Sequence, residues 1–222
     1  MTDSPAVRLH GRSSSHFTRV AAIIAHELDV PCELVVVHDL RNLDPDRYGG
    51  HPGLKLPTLH VGAAVVFGTE NICRRLAALA GATGRIVWPE QVTADVARNA
   101  QELTWHAMAT QVQLIVATVL GDVPADSVLV TKGRGGLAGT LAWLDAHLAL
   151  TLEALPRTRA LSLLEVTLFC LVEHLAFSPT VPLLPYPRLC AFAAAFAARP
   201  SAAHTAFRFD APLPGPTETP CR

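Results

Sequence analysis

Over the first eighty residues the spacing of hydrophobic positions switches between two periods. Val7-Arg8-Leu9-His10 alternates and runs into Gly11, which predicts a short strand. Phe17, Val20, Ala21, Ile24, Ala25 and Leu28 fall at i, i+3, i+4, i+7, i+8 and i+11, one face of an amphipathic helix. Glu33-Leu34-Val35-Val36-Val37 is a continuous β-branched run, the pattern of a strand covered on both faces. Strand, helix and strand predict a right-handed βαβ unit. Leu56-Pro57-Thr58-Leu59-His60-Val61 and Ala63–Phe67 flank Gly62 as a tight hairpin. Gly68 ends that pair, and Ile72, Leu76 and Leu79 carry a second amphipathic helix from Thr69 to Leu79.

After Gly81 the strand signals fade. Gly81 through Trp88-Pro89 has linker composition, and a domain boundary is expected there. The rest predicts helices over about 90–120, 136–154, 162–177 and 186–199. The third is apolar nearly all round, interrupted only by Glu165, Glu173 and His174, as befits the centre of a bundle. Ser162-Leu163-Leu164-Glu165 has the S-x-x-E form of a capping box, in which side chains and backbone satisfy each other's orphan donors. From Asp210 a Pro-rich tail is expected to be loose. The expected organisation is a small α/β domain at 5–81, an all-helical domain at 90–209 and the tail at 210–222.

Composition narrows the function classes. The 222 residues are 50% hydrophobic and 17% charged, enough apolar content for a sizeable core. A net charge of −1 gives no basic footprint for a nucleic acid and no polybasic stretch for an anionic membrane. The longest run free of charged residues, Leu103 to Gly121, contains Thr104, His106, Thr110, Gln111, Gln113 and Thr118, a polar load that argues against a transmembrane helix. Met1 to Arg12 has no apolar segment of signal-peptide length, so a soluble cytoplasmic protein is expected. The five cysteines are scattered with no C-x-x-C pair, neither a disulfide framework nor a zinc pattern. Cys32, Cys73, Cys170 and Cys190 read as small buried hydrophobes, and Cys221 as exposed in the tail.

Candidate chemistry is sparse. Val128-Leu129-Val130 followed by Gly133-Arg134-Gly135-Gly136-Leu137-Ala138-Gly139 lacks the G-x-G-x-x-G spacing and any following βαβ unit, so it reads as a flexible connection between helices. His26-Glu27 lacks the second histidine of H-E-x-x-H. The ten histidines show no i, i+4 pairing, so no metal site is expected; His106 and His147 are the candidates for interior positions. Ser13-Ser14-Ser15 sits where the first strand hands over to the first helix. A serine there caps the helix, and the same hydroxyl, at the positive end of the dipole, can donate to a bound thiolate. If the Leu56-Pro57 peptide is cis, the turn offers the backbone of Leu56 to a ligand. Thr69-Glu70-Asn71 is either a cap with an acidic first turn or an anion site of helix amides and a hydroxyl.

These items, in this order, resemble the glutathione transferase superfamily. The likeness spans about residues 5–205: βαβ, Leu56-Pro57, hairpin, polar helix start, then a helical half. In that half Ser162-x-x-Glu165 resembles the family's central capping box. Tyr186-Pro187-Arg188-Leu189, Phe192, Phe196 and Arg199-Pro200-Ser201 resemble its penultimate helix. The resemblance implies an α/β thioredoxin-like N-terminal domain followed by an all-α C-terminal domain. It also implies glutathione as co-substrate, no metal, a homodimer, and a small hydrophobic electrophile as the other partner.

Carried over residue by residue, the family's thiolate-stabilising serine of serine-type members lies five positions before an Arg-Val like Arg19-Val20, which points to Ser14 with Ser13 and Ser15 beside it. The only tyrosines are Tyr48 and Tyr186, remote from the first strand, and no cysteine opens the first helix, which disfavours tyrosine-type and cysteine-type sites. Leu56 would bond the glutathione cysteinyl backbone, Pro57 would be the cis-proline, and Lys55 matches a position that contacts the tripeptide. The family's preceding glycine is Leu54 here. The Glu-Ser pair that grips the γ-glutamyl end is replaced either by Glu70-Asn71 or, in the other register, by Gly68-Thr69. Trp105, Met108, Ala109 and Val112 are candidates for the electrophile pocket, with core packing as their alternative. The implied activity is conjugation of glutathione to a small apolar electrophile. The alternatives are a glutathione-dependent isomerase or dehalogenase, or a non-catalytic binding or protein-interaction module of this fold.

Overall fold

The first pattern folds as a parallel pair, β1 (Val7–Gly11) and β2 (Glu33–Val36), joined by helix α1 (His16–Glu27). The computed structural model describes residues 6–82 and 84–211. β3 (Thr58–Val61) runs antiparallel to β1, and β4 (Ala64–Phe67) returns antiparallel to β3 through Gly62, which takes φ 58°. The sheet order β2-β1-β3-β4 corrects one expectation, because β2 is an edge strand. Its Leu34, Val35 and Val36 are half-buried, and full burial begins only at Val37. A branched run records strand preference and not the position taken in a sheet.

α2 (Thr69–Leu79) lies beside α1, and the two cover one face of the sheet. Leu9, Leu59 and Val61 of the sheet, Val20 and Ile24 of α1, and Ile72 and Leu76 of α2 are all at most 5% exposed and form one layer. Burying each contributes about 1.5–3 kcal/mol. The predicted face of α1 is therefore the packed one, with Phe17 half-buried at its edge. α1 is also buried on a second flank, where Arg19 lies over Phe169 of the other half's packed helix, while Thr18 turns to the end of β1 and accepts from the Arg12 amide.

That half consists of α3 (Asp95–Ile115, continued by a π turn to Leu120), α4 (Val128–Glu153), α5 (Leu163–Phe177), α6 (Pro187–Phe196) and α7 (Pro200–His204). α5 occupies the centre, against α1, α3 and α6, as its apolar circumference predicts. Asp95–Leu120 is long and apolar enough to cross a membrane by length and composition; here it packs against α4 and α5.

Three expectations change. The Gly133–Gly139 stretch is not a flexible connection but part of α4, which starts at Val128 with Ser127 as N-cap, its hydroxyl accepting from the Val130 amide. Packing overrides the low helix propensity: a Cβ on Gly133 would lie 3.0 Å from Leu114, so this glycine lets α3 and α4 approach. The supposed linker is structured as well. β5 (Ile86–Val87) pairs in parallel with β6 (Leu161–Ser162), and Ile86, Val87 and Trp88 are buried. Finally, the capping box at Ser162 is half present. Its hydroxyl accepts from the Glu165 amide at 3.1 Å, but the Glu165 carboxylate takes the Ser162 hydroxyl and a bidentate Arg159 at 2.9 and 3.0 Å.

Glu27 of the abandoned H-E motif has a structural task. Arg199 grips its carboxylate at 2.8 and 2.9 Å, and the Ser201 hydroxyl donates to it, tying the end of α1 to the start of α7. The helix predicted over 186–199 accordingly ends at Phe196, and Arg199-Pro200 opens a new one. Cys73 and Cys170 are fully buried and Cys32 and Cys190 half-buried; Cys221 lies outside the described residues.

Candidate functional site

Strand directions bring three chain segments to one edge of the sheet. β1 and β4 end there and β3 begins there; His10 pairs with Thr58, and Thr58 with Phe67. The serine run after β1, Leu56-Pro57 before β3 and Gly68-Thr69 after β4 therefore lie within about 10 Å, two strand spacings.

The three serines have separate roles. Ser15 is the N-cap of α1, accepting from the Thr18 amide at 3.3 Å. Ser13 donates its amide to the Asp210 carboxylate at 3.0 Å, and its hydroxyl is enclosed without a partner. Asp210, where the loose tail was expected to begin, is thus bonded to the start of α1; residues 212–222 lie outside the described residues. Ser14 is half-buried, and among the described residues its hydroxyl has no bond, while its carbonyl accepts from His174 at 3.1 Å. A free hydroxyl at a helix N-terminus is a donor aimed at negative charge.

Behind Ser14 lies a buried polar cluster that sequence reasoning missed. His16 and His174 meet at 4.3 Å between ring centroids. Gln111 donates to the Ser178 carbonyl at 2.7 Å, lies 3.4 Å from His174 Nδ1 and accepts from the Thr180 hydroxyl. Burial pushes the His174 pKa down to about 4 and holds His16 well below its ordinary value, so both rings are neutral. In the sequence His174 is only an interruption of an apolar helix. No spacing signal connects it to a residue 160 positions away. Of the two histidines expected inside, His106 is exposed and His147 half-buried, the latter bonded to the Trp143 carbonyl.

The Leu56-Pro57 peptide is cis. Among the described residues neither backbone group of Leu56 is hydrogen-bonded. Leu54 takes φ 52°, the left-handed region that favours glycine, and Lys55 is exposed. At the next segment Gly68, with φ 84°, is the N-cap of α2, and no side chain caps it. Thr69 is 9% exposed at the first helical position. The Glu70 carboxylate is held by Arg74 at 2.7 and 2.9 Å, and Arg74 also bridges to Glu90 and lies over Trp88. Asn71 turns back to donate to the Phe67 carbonyl at 3.2 Å. Among the described residues the Glu70 and Asn71 side chains are thus engaged within the chain, while the first turn of α2 has no side-chain cap.

The four electrophile-pocket candidates separate. Trp105 is half-buried and stacks on Phe17 at 6.0 Å, beside the serine run, and Ala109 and Val112 continue that open face of α3. Met108 is a correction, because it is fully buried and packs the core. One apolar side of a helix does not tell which of its residues turn inward. Among the described residues no group of three or more His, Cys, Asp or Glu side chains is arranged to hold a metal.

Residues 9–84 match the family model described as glutathione S-transferase, N-terminal domain. No curated protein matches the sequence. Solved structures match along nearly their whole length. A glutathione S-transferase from Methylobacterium radiotolerans, in complex with glutathione sulfonate, superposes with a TM-score of 0.74 at 19% identity, over 94% of this chain and 98% of that one. A glutathione transferase family member from Pseudomonas fluorescens Pf-5 with bound glutathione gives 0.71 at 17%, over 91% and 100%. Glutathione S-transferase III in its apo form gives 0.69 at 24%, over 94% and 100%.

Proposed function

We propose that this chain, which has the glutathione transferase fold and whose residues 9–84 match that family's N-terminal domain, conjugates glutathione to a small apolar electrophile. The observation that carries the reading is the meeting, at one sheet edge, of a free Ser14 hydroxyl, the unbonded Leu56 backbone and the uncapped first turn of α2. In this reading Leu56 holds the cysteinyl backbone of the tripeptide beside Pro57, with Lys55 close by. Thr69 and the amides of Glu70 and Asn71 receive the γ-glutamyl carboxylate. Ser14, flanked by Ser13 and Ser15, donates to the thiolate as an electrostatic stabiliser and not as a nucleophile. The dipole of α1 and this bond lower the thiol pKa, and Trp105, Ala109 and Val112 form the wall that brings the electrophile alongside. An isomerase or dehalogenase using glutathione would draw on the same groups. A cytoplasmic homodimer goes with the reading and is checked by sedimentation.

A second reading has its own support. The tied Glu70 and Asn71 side chains, and the Asp210 carboxylate at the Ser13 amide, suit a binding module of this fold that does not turn over. Glutathione titration by calorimetry separates the two. Saturable binding that weakens in Thr69→Ala, with thiolate absorbance appearing at neutral pH, supports the transferase. Binding without a thiolate supports the module, and no binding at millimolar glutathione sinks the site.

A further inference from the structure

A cleft of about 490 Å³ runs between α1, β2 and the segment 204–208. Apart from Ser13, none of the residues assigned above to glutathione or electrophile lines it. Its walls follow α1, itself about 18 Å long at 1.5 Å per helical residue, from Arg12 before the helix to Asp29 beyond it.

The lining is amphipathic and its charge is not used up within the chain. Leu9, Ala22, Ala25, Val30 and Leu34 supply its apolar lining, with His26 and His204 also on its walls. At one end stand Arg12 and Arg208, and among the described residues neither pairs with a carboxylate within 4.0 Å. Arg12 Nε and Ser13 Oγ are shut away from solvent with no partner, an unmet demand of the kind that a bound group commonly satisfies. The third lining arginine is otherwise engaged: Arg19 donates to the Ala202 carbonyl at 3.0 Å, lies 3.9 Å from Glu173 and sits over Phe169 and Phe207. Of the acids nearby, Asp29 at the far end lies 4.0 Å from Arg85, and Asp210 is bonded to the Ser13 amide. A cationic end and an apolar length match a small molecule with one negative head and one hydrocarbon body.

We propose that this cleft binds a medium-chain aliphatic carboxylate, its head on Arg12 and Arg208 and its chain along Ala22, Ala25 and Leu34. The cleft meets the sheet edge only at Ser13, and Arg208, Ala22 and Leu34 take no part in the glutathione reading, so decanoate binding is tested apart from it.

The test titrates the full chain with sodium decanoate and, as the neutral counterpart, with 1-decanol, by calorimetry. Decanoate saturates at one per chain, and decanol binds at least about tenfold more weakly, since only the carboxylate makes charge-assisted bonds to the two guanidinium groups. Arg208→Gln and the double variant Arg12→Gln, Arg208→Gln weaken decanoate by about tenfold or more and leave decanol unchanged. Ala22→Trp fills the cleft and removes both; circular dichroism and urea midpoints verify that each variant is folded. Arg208 is exposed, so that single variant keeps the test alive if the others unfold. Saturating S-hexylglutathione leaves the decanoate isotherm unchanged. Absence of saturable binding, equal affinity for decanol, indifference to the variants, or competition with S-hexylglutathione each overturns the proposal.

Discussion

The carbonyl oxygen of Ser14 accepts a hydrogen bond from His174 Nε2 at 3.1 Å, joining the start of α1 to the central helix of the other half. A carbonyl only accepts, so Nε2 carries the proton. Nδ1 is then the acceptor that faces the Gln111 amide at 3.4 Å. The neutral ring with one proton satisfies both neighbours, and a doubly protonated ring cannot accept from the amide.

Acid should therefore break the Gln111–His174 contact and destabilise the fold, since the protonated ring keeps its donor to Ser14 but loses its acceptor. Burial first, and the Arg19 charge last, lower the His174 pKa from 6.5 to about 4, against the bond to Ser14, which raises it; burial and then His174 hold His16 down as well. Between these values the unfolded chain binds a proton that the folded chain refuses. Stability is full above about pH 6.5 and falls as pH drops towards 4, by about 3 kcal/mol for His174 alone. Urea midpoints should decline across that window, and His174→Gln should flatten the decline. A midpoint independent of pH would refute it.

The serines should separate by substitution. Ser15→Ala removes the cap of α1 and costs about 1 kcal/mol of stability. Ser14→Ala removes no cap, so the urea midpoint stays within about 0.5 kcal/mol while the thiol pKa of bound glutathione rises. A stability loss at Ser14 equal to that at Ser15, with an unmoved thiol pKa, would remove Ser14 from its assigned role.

Leu54 offers a backbone test. With φ at 52°, a leucine is held where a side chain costs about 1 kcal/mol. Leu54→Gly relieves that cost and loses some half-buried packing, for a net change within about 1 kcal/mol. Leu54→Val, β-branched in the same conformation, should destabilise by about 1–2 kcal/mol in urea.

The glycines of α4 should respond unequally. Nothing lies within 4 Å of a Cβ placed on Gly135, Gly136 or Gly139, so alanine at each should raise stability by up to about 1 kcal/mol. Gly133→Ala must displace Leu114 and should gain nothing. Thermal melts of the four variants read the contrast directly. A loss at Gly135 or Gly136 would reveal a second surface packed there.

Much of this was legible from local pattern. α2 has the predicted bounds because Gly68 stops a strand where an apolar stripe of period 3.6 begins. α5 reads as a bundle centre because almost no polar residue interrupts it. The start of α4 was hidden, since its glycines read as a loop and only its packing against α3 holds it helical. β5 and β6 are two residues each, too short for any period to register. On α3 the apolar positions were visible, but whether Met108 or Trp105 turned inward depends on neighbours far along the chain. Ser14 and His174 are likewise 160 positions apart, and Ser13 and Asp210 are 197 apart.

The β5–β6 pair also constrains how the protein is made. Ile86-Val87 finds its partner only when Leu161-Ser162 has been synthesised, about seventy-five residues later. At roughly 5–20 residues per second the ribosome takes several seconds to supply it. Throughout that interval Ile86 and Val87, buried in the finished molecule, have no partner strand. The N-terminal half therefore leaves the ribosome with an open seam, closed only when the central helix emerges.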